Sequence, residues 1–182
     1  MPGGMDRVIK EYYNGYRKMK RLPPELEGKV EGLLFPEEAL LEEWRDWRKG
    51  LSWKHANGSA ISGAVDNILV RGEKLVVLDY KTRGSAPNQE TSEYSRDQLN
   101  IYSFLLQKNG FETEDHAFLL FYHPDKVTEA GEVLFHTDLV RMTARASDAE
   151  QLFHDALKLL SEREPEADAK CEYCKYAQSG KW

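Results

Sequence analysis

Two aspartates and a lysine stand where strand-forming residues are expected. In "SGAVDNILVRGEKLVVLDYKTRG", residues 62–84, two apolar runs flank a turn at Arg71-Gly72-Glu73, and each run carries an aspartate, Asp66 and Asp79. Carboxylates are poor strand formers and costly to bury. Side chains alternate along a strand, so Asp79 and Lys81 share one face and Tyr80 takes the other. If 65–70 pairs with 74–79, Asp66 comes close to Asp79. Two convergent carboxylates, with the Tyr80 carbonyl as a third oxygen, form a hard donor set suited to Mg²⁺ or Mn²⁺. Such an ion polarises a phosphoryl oxygen and acidifies a bound water. A lysine one step along the same face adds positive charge where negative charge grows in the transition state. The plainer alternative is a surface hairpin with a salt bridge, worth under about 1 kcal/mol.

A second pair follows in "DQLNIYSFLL". Gln98 and Tyr102 are four residues apart, on one face of a helix spanning about 93–109. Both can hydrogen-bond at positions where a buried helix would use leucine. The competing reading makes Tyr102 core and Gln98 a boundary residue.

The remaining pattern supplies the elements that must hold these residues. Met5, Val8, Ile9, Tyr12, Tyr13 and Tyr16 recur at helical spacing over 5–20, and the Pro23-Pro24 pair ends that helix. "FPEEALLEEWRDWRKG" reads as a second helix, opened by Pro36 and closed by Gly50. Residues 59–70 and 74–81 read as a β-hairpin and 84–92 as a loop. Residues 116–123 and 132–142 read as two more strands. A last helix covers about 147–162 and stops before Pro165, ahead of a polar tail. The order implies a mixed sheet of about four strands with helices on its faces, all within one domain over 1–182. It lacks the regular alternation of a doubly wound fold, and no phosphate-binding glycine loop is present.

The composition, with 41% hydrophobic and 31% charged residues among 182, is that of a folded domain. No apolar run approaches the roughly 20 residues of a membrane span, and the N-terminus lacks the apolar core of a signal peptide. A cytoplasmic protein is expected. The net charge of −6 disfavours a broad nucleic-acid-binding surface. Residues 1–22 run against it, with Arg7, Lys10, Arg17, Lys18, Lys20 and Arg21 interleaved with three tyrosines. That mixture suits phosphate contact and base stacking, or an ordinary solvated helix face with its tyrosines packed inward. Cys171 and Cys174, the two cysteines, make half of a four-ligand metal site.

Taken together, "GAVDNILV", "LVVLDYKTRG" and "DQLNIYSFLL" resemble the PD-(D/E)XK nuclease superfamily, in particular its RecB-like branch. Gly63, Asp66, Asp79, Lys81, Thr82, Gln98 and Tyr102 match that branch's three motifs in order, within residues 62–106. The resemblance implies an α/β fold with a restriction-endonuclease-like αβββαβ core and a mixed central sheet flanked by helices. It also implies metal-dependent cleavage of DNA, in repair, recombination or defence. Asp66 and Asp79 would bind Mg²⁺ or Mn²⁺, Lys81 would be the catalytic lysine, and Gln98 and Tyr102 would support the site or touch nucleic acid. The branch often places a histidine or acid on its first core helix, in G-x-x-H; here "GGMD" puts Asp6 at that spacing. The five histidines do not match it and read as ordinary surface or core residues. The C-terminal "CEYCKY" is similar to the tail of iron–sulfur members of the branch, including CRISPR-adaptation exonucleases. Those use four cysteines, so two leave a cluster within one chain incomplete. A second copy or a partner protein is left open. The competing function is a nucleic-acid-binding or assembly module that keeps the fold without cutting.

Overall fold

The computed structural model describes residues 3–163 and 166–179, apart from the side chain of residue 89. Pro165, the expected stop of the last long helix, lies outside them. The elements in chain order are α1 (Gly3–Lys18), β1 (Leu33–Leu34), α2 (Glu38–Arg45), β2 (Leu51–Lys54), β3 (Ala60–Gly63), β4 (Asn67–Arg71), β5 (Lys74–Thr82), α3 (Gln89–Glu93), α4 (Arg96–Lys108), β6 (His116–Val127), β7 (Val133–Thr143), α5 (Ala146–Ser161) and α6 (Glu172–Gln178). The chain divides into two compact units, residues 1–150 and 151–182.

The first unit is built on a five-stranded mixed sheet in the order β1-β4-β5-β6-β7. β5 and β6 run parallel, joined through α3 and α4, while the other neighbours run antiparallel. This is the mixed α/β architecture, sheet flanked by helices, that the sequence implies. Strand alternation divides the core cleanly. Leu75 and Val77 of β5 and Leu119 and Phe121 of β6 pack with Leu99, Phe104 and Leu105 of α4. Val76, Leu78 and Tyr80 face the other way, with Leu120, and pack with Ile9 and Tyr13 of α1. Asp79 and Lys81 continue the α4 face of β5, as the period of two requires.

The β4–β5 hairpin has the expected position. Arg71 pairs with Lys74, and Gly72, at φ +62°, supplies the left-handed turn residue. Several boundaries differ from the sequence reading. Residues 59–70 are not one strand. β3 pairs with β2 in a separate two-stranded sheet, Trp53 opposite Ile61, and β4 begins only at Asn67. The break follows from competition for the backbone, because the Val65 N–H bonds to the Trp44 carbonyl at the end of α2. The signal for β2 was Asn57-Gly58, a common hairpin turn pair that lies between β2 and β3. Helix α2 spans Glu38–Arg45 and not 36–50, because the Lys49 and Gly50 N–H groups fold back onto the Asp46 carbonyl. Part of the expected loop is helix α3, fixed by a reciprocal cap between Asn88 and Thr91. β6 extends beyond 123, to Val127, as one arm of a long ribbon with β7.

The second unit contains α6, within the tail that reads as merely polar. Cys171 stands at its N-cap and both thiols are free. Hydrogen bonds from the Cys174 backbone and side chain lower the Cys171 thiol below its ordinary value.

Candidate active site

The hairpin register makes the site. The β4–β5 ladder ends at Asn67 opposite Leu78, so beyond it β5 keeps a ladder partner only in β6. Asp66 takes the vacated edge, where its Oδ2 accepts the Tyr80 N–H at 3.0 Å. Arg45 holds the backbone there, its Nε donating to the Asp66 carbonyl at 2.7 Å. The two aspartates therefore meet at the point where the strands part. Asp66, Asp79, Tyr80, Lys81, Thr82, Gln98 and Tyr102 line one cleft of about 450 Å³, with Gly3 and Asp6 of α1.

Asp79 is 2% exposed. Its Oδ2 forms an ion pair with Lys81 Nζ at 2.5 Å, yet no donor meets that oxygen with hydrogen-bond geometry. Burial, reinforced by the nearby Asp66 charge, raises the Asp79 carboxyl from 3.8 to about 6; Lys81 and Lys10 pull the other way. Lys81 Nζ also donates to Gln98 Oε1 at 2.8 Å, and Gln98 Nε2 donates to the Tyr102 hydroxyl at 2.8 Å. Burial, followed by the Asp79 charge, pushes Tyr102 up to about 12, so it stays a phenol at neutral pH. The chain Asp79–Lys81–Gln98–Tyr102 thus runs from the sheet to α4. Tyr80 turns its ring to the opposite core, where its hydroxyl meets the Asn67 amide.

Gln98 is placed to fix the lysine, since it accepts from Lys81 Nζ and donates to the Tyr102 hydroxyl. Gly63 explains its own identity, since a Cβ there would stand 2.8 Å from the Tyr102 ring. Gly63→Ala is expected to cost about 1–3 kcal/mol as the ring shifts, measured by denaturant unfolding.

One site residue was missing from the sequence reading. Lys10 donates to Asp6 Oδ2 at 3.0 Å and stands 3.6 Å from Asp66 Oδ1, tying the first helix to the hairpin. Its available signal was the four-residue spacing from Asp6. The other cations of residues 1–22 do not form one free basic face. Arg17 is buried, donating to the Phe35 carbonyl and to Asn67, while Arg7 pairs with Glu11 and Lys18 with Glu38. Tyr12 and Tyr13 both donate to Glu25.

Three carboxylates, those of Asp6, Asp66 and Asp79, the last with a buried oxygen that no donor meets with hydrogen-bond geometry, make a hard-oxygen cradle that fits a small divalent cation. Among the described residues no helix is long and apolar enough to cross a membrane. A search of curated proteins returns no match. Among solved structures, the chain is similar to one described as "Crystal structure of SSO0001", at 17% identity and a TM-score of 0.37. That likeness covers 78% of this chain, and the chain spans 63% of the length of that one. The sequence model of the PD-(D/E)XK nuclease superfamily matches residues 5–179, a stretch that takes in every residue of the cleft except Gly3. The chain belongs to the PD-(D/E)XK nuclease superfamily.

Proposed function

We propose that the chain is a metal-dependent deoxyribonuclease of the RecB-like branch, similar to CRISPR-adaptation exonucleases, that hydrolyses DNA phosphodiester bonds in repair, recombination or defence. The observation that carries this reading is the convergence of Asp66, Asp79 and Lys81 on one cleft. Asp66 and Asp79, with the Tyr80 carbonyl, would hold Mg²⁺ or Mn²⁺, and Asp6 would be an additional ligand from α1. When bound, the ion polarises a phosphoryl oxygen and acidifies water. Lys81 places its ammonium beside the Asp79 carboxylate, where the scissile phosphate would gather charge. Gln98 fixes that ammonium, and Tyr102 fixes Gln98. Lys10 neutralises Asp6 and Asp66 and so lowers the repulsion among the three acids. Cys171 and Cys174 provide two thiols, short of the four that an iron–sulfur cluster takes.

The test incubates labelled single- and double-stranded DNA with Mn²⁺. Products from the wild type that disappear with Asp66→Asn support the reading; products that persist overturn it. A non-cutting nucleic-acid-binding or assembly module on the same fold is the second reading, favoured by a thiol pair too small for an iron–sulfur cluster; the net charge of −6 and the paired α1 cations weigh toward assembly within it, and its DNA-binding form has its own signature. It predicts salt-dependent DNA binding with no metal-dependent products.

A further inference from the structure

The β6–β7 ribbon carries a second group of ligand-type side chains, none of which lines the carboxylate cleft. His123 pairs directly with His136 across the ladder, and Asp138 lies two residues along from His136 on the same face. His123 Nε2 is 2.8 Å from Asp138 Oδ2, and His136 Nε2 is 3.7 Å from Asp138 Oδ1. One carboxylate thus offers an oxygen to each imidazole. One ligand atom from each of the three residues lies within 4.8 Å of the others. In a tetrahedral zinc site with bonds of about 2.0–2.1 Å, ligand atoms stand about 3.3 Å apart. The observed separations straddle that spacing, so small side-chain rotations close the site.

The surroundings fit as well. His123 Nδ1 is 3.4 Å from the Pro124 carbonyl. A backbone carbonyl is a usual outer partner of a metal-bound histidine, and an Nδ1–H donating there leaves the Nε2 lone pair for the ion. The His123 side chain is 12% exposed and that of His136 is 60% exposed, so one ligand is anchored and the other admits the ion from solvent. The trio closes the ribbon one step before its ladder is interrupted between Pro124 and Lys126. Beyond that point Val127, Val133 and Leu134 are exposed, as is Phe135 opposite Pro124.

We propose that His123, His136 and Asp138 bind Zn²⁺, with the fourth position open to water or an incoming ligand. Two imidazoles and one carboxylate suit zinc, whereas the oxygen-only cleft suits Mg²⁺ or Mn²⁺, so ligand type sorts the ions between the two sites. The zinc ties β6 to β7 where the ladder is about to break. This inference does not depend on the nuclease reading, and its readout is metal binding and not cleavage.

The test uses the full chain with Cys171→Ser and Cys174→Ser, which removes the competing thiols. After dialysis against Zn²⁺, retained metal is counted by mass spectrometry and affinity is measured by calorimetry. The expected result is one equivalent of zinc. The affinity should fall more than about tenfold in His136→Ala and in Asp138→Asn, and stay unchanged in Asp66→Asn/Asp79→Asn. Co²⁺ should give the visible absorption of a tetrahedral site, lost in His136→Ala. The proposal is overturned if the thiol-free chain retains no zinc. It is equally overturned if His136→Ala/Asp138→Asn binds as tightly as its parent, or if the metal is lost with the cleft substitutions.

Discussion

Lys81→Ala is expected to lower the single-turnover rate of DNA cleavage in Mn²⁺ by about 10²–10³-fold. The argument rests on where Lys81 is held. It stands near the end of β5, on the face that carries Asp79, with Nζ 2.5 Å from one carboxylate oxygen and 2.8 Å from Gln98 Oε1. Its side chain is 29% exposed, so it closes a cleft and fills little of the core, and its removal should leave the fold intact by circular dichroism. Lys81→Met, which keeps most of the aliphatic stem, should be as inactive as the alanine variant if charge is what matters. Lys81→Arg should recover little, because a planar guanidinium does not replace a point charge held by one carboxylate and one amide. The substitution has a secondary effect of definite sign. Lys81 is one of the groups pulling the Asp79 carboxyl down, so its loss should shift the acid limb of any residual activity to higher pH. A rate within tenfold of wild type would remove Lys81 from the chemistry.

The residues of this site were readable because strand chemistry exposes exceptions. Asp79 and Lys81 interrupt an apolar run at a spacing of two, and a strand admits only one outcome for that spacing, a shared face. Gln98 and Tyr102 were readable for the same reason at helical spacing, and the hydrogen bond between them follows. Asp66 depended on register, which the two-residue turn around Gly72 fixed. What could not be read was long-range. Lys10 enters the site only because α1 crosses the end of the hairpin; its spacing from Asp6 marks a helix ion pair, as that of Arg7 from Glu11 does, and not a neighbour of Asp66. Arg17 looked like a surface cation yet lies buried, donating to Phe35 and Asn67 across 18 and 50 residues. The β2–β3 ribbon was missed since a four-residue strand carries too little periodicity to outweigh the helix signal before it. His123, His136 and Asp138 escaped notice because their approach depends on the pairing of two strands whose full lengths were not visible.

Asp79→Asn should abolish cleavage and at the same time make the metal-free protein more stable above pH 6. The carboxyl is raised from 3.8 to about 6 in the folded chain, chiefly by burial and then by Asp66. In the unfolded chain it titrates near its ordinary value. Between those two pH values the unfolded state has already lost a proton that the folded state retains. Stability therefore falls as pH rises through that window and remains lowered above it. A shift of about two units corresponds to at most about 3 kcal/mol. The Lys81 ion pair, lost in the variant, is already counted in that net shift. Asparagine keeps the shape and carries no charge at any pH, so its advantage should be greatest at pH 7–8 and fade below about pH 4. For a chain of this size the gain corresponds to a rise in melting temperature of up to about 10 °C. Thermal unfolding in EDTA buffers across pH 3–8 measures it. A variant less stable than wild type at pH 8, or a difference that ignores pH, would contradict the assignment. Added Mn²⁺ should narrow the gap, by stabilising the wild type through binding and the variant far less. Opposite responses of activity and stability to one atom pair distinguish a carboxylate kept for binding a cation from one kept for holding the fold together.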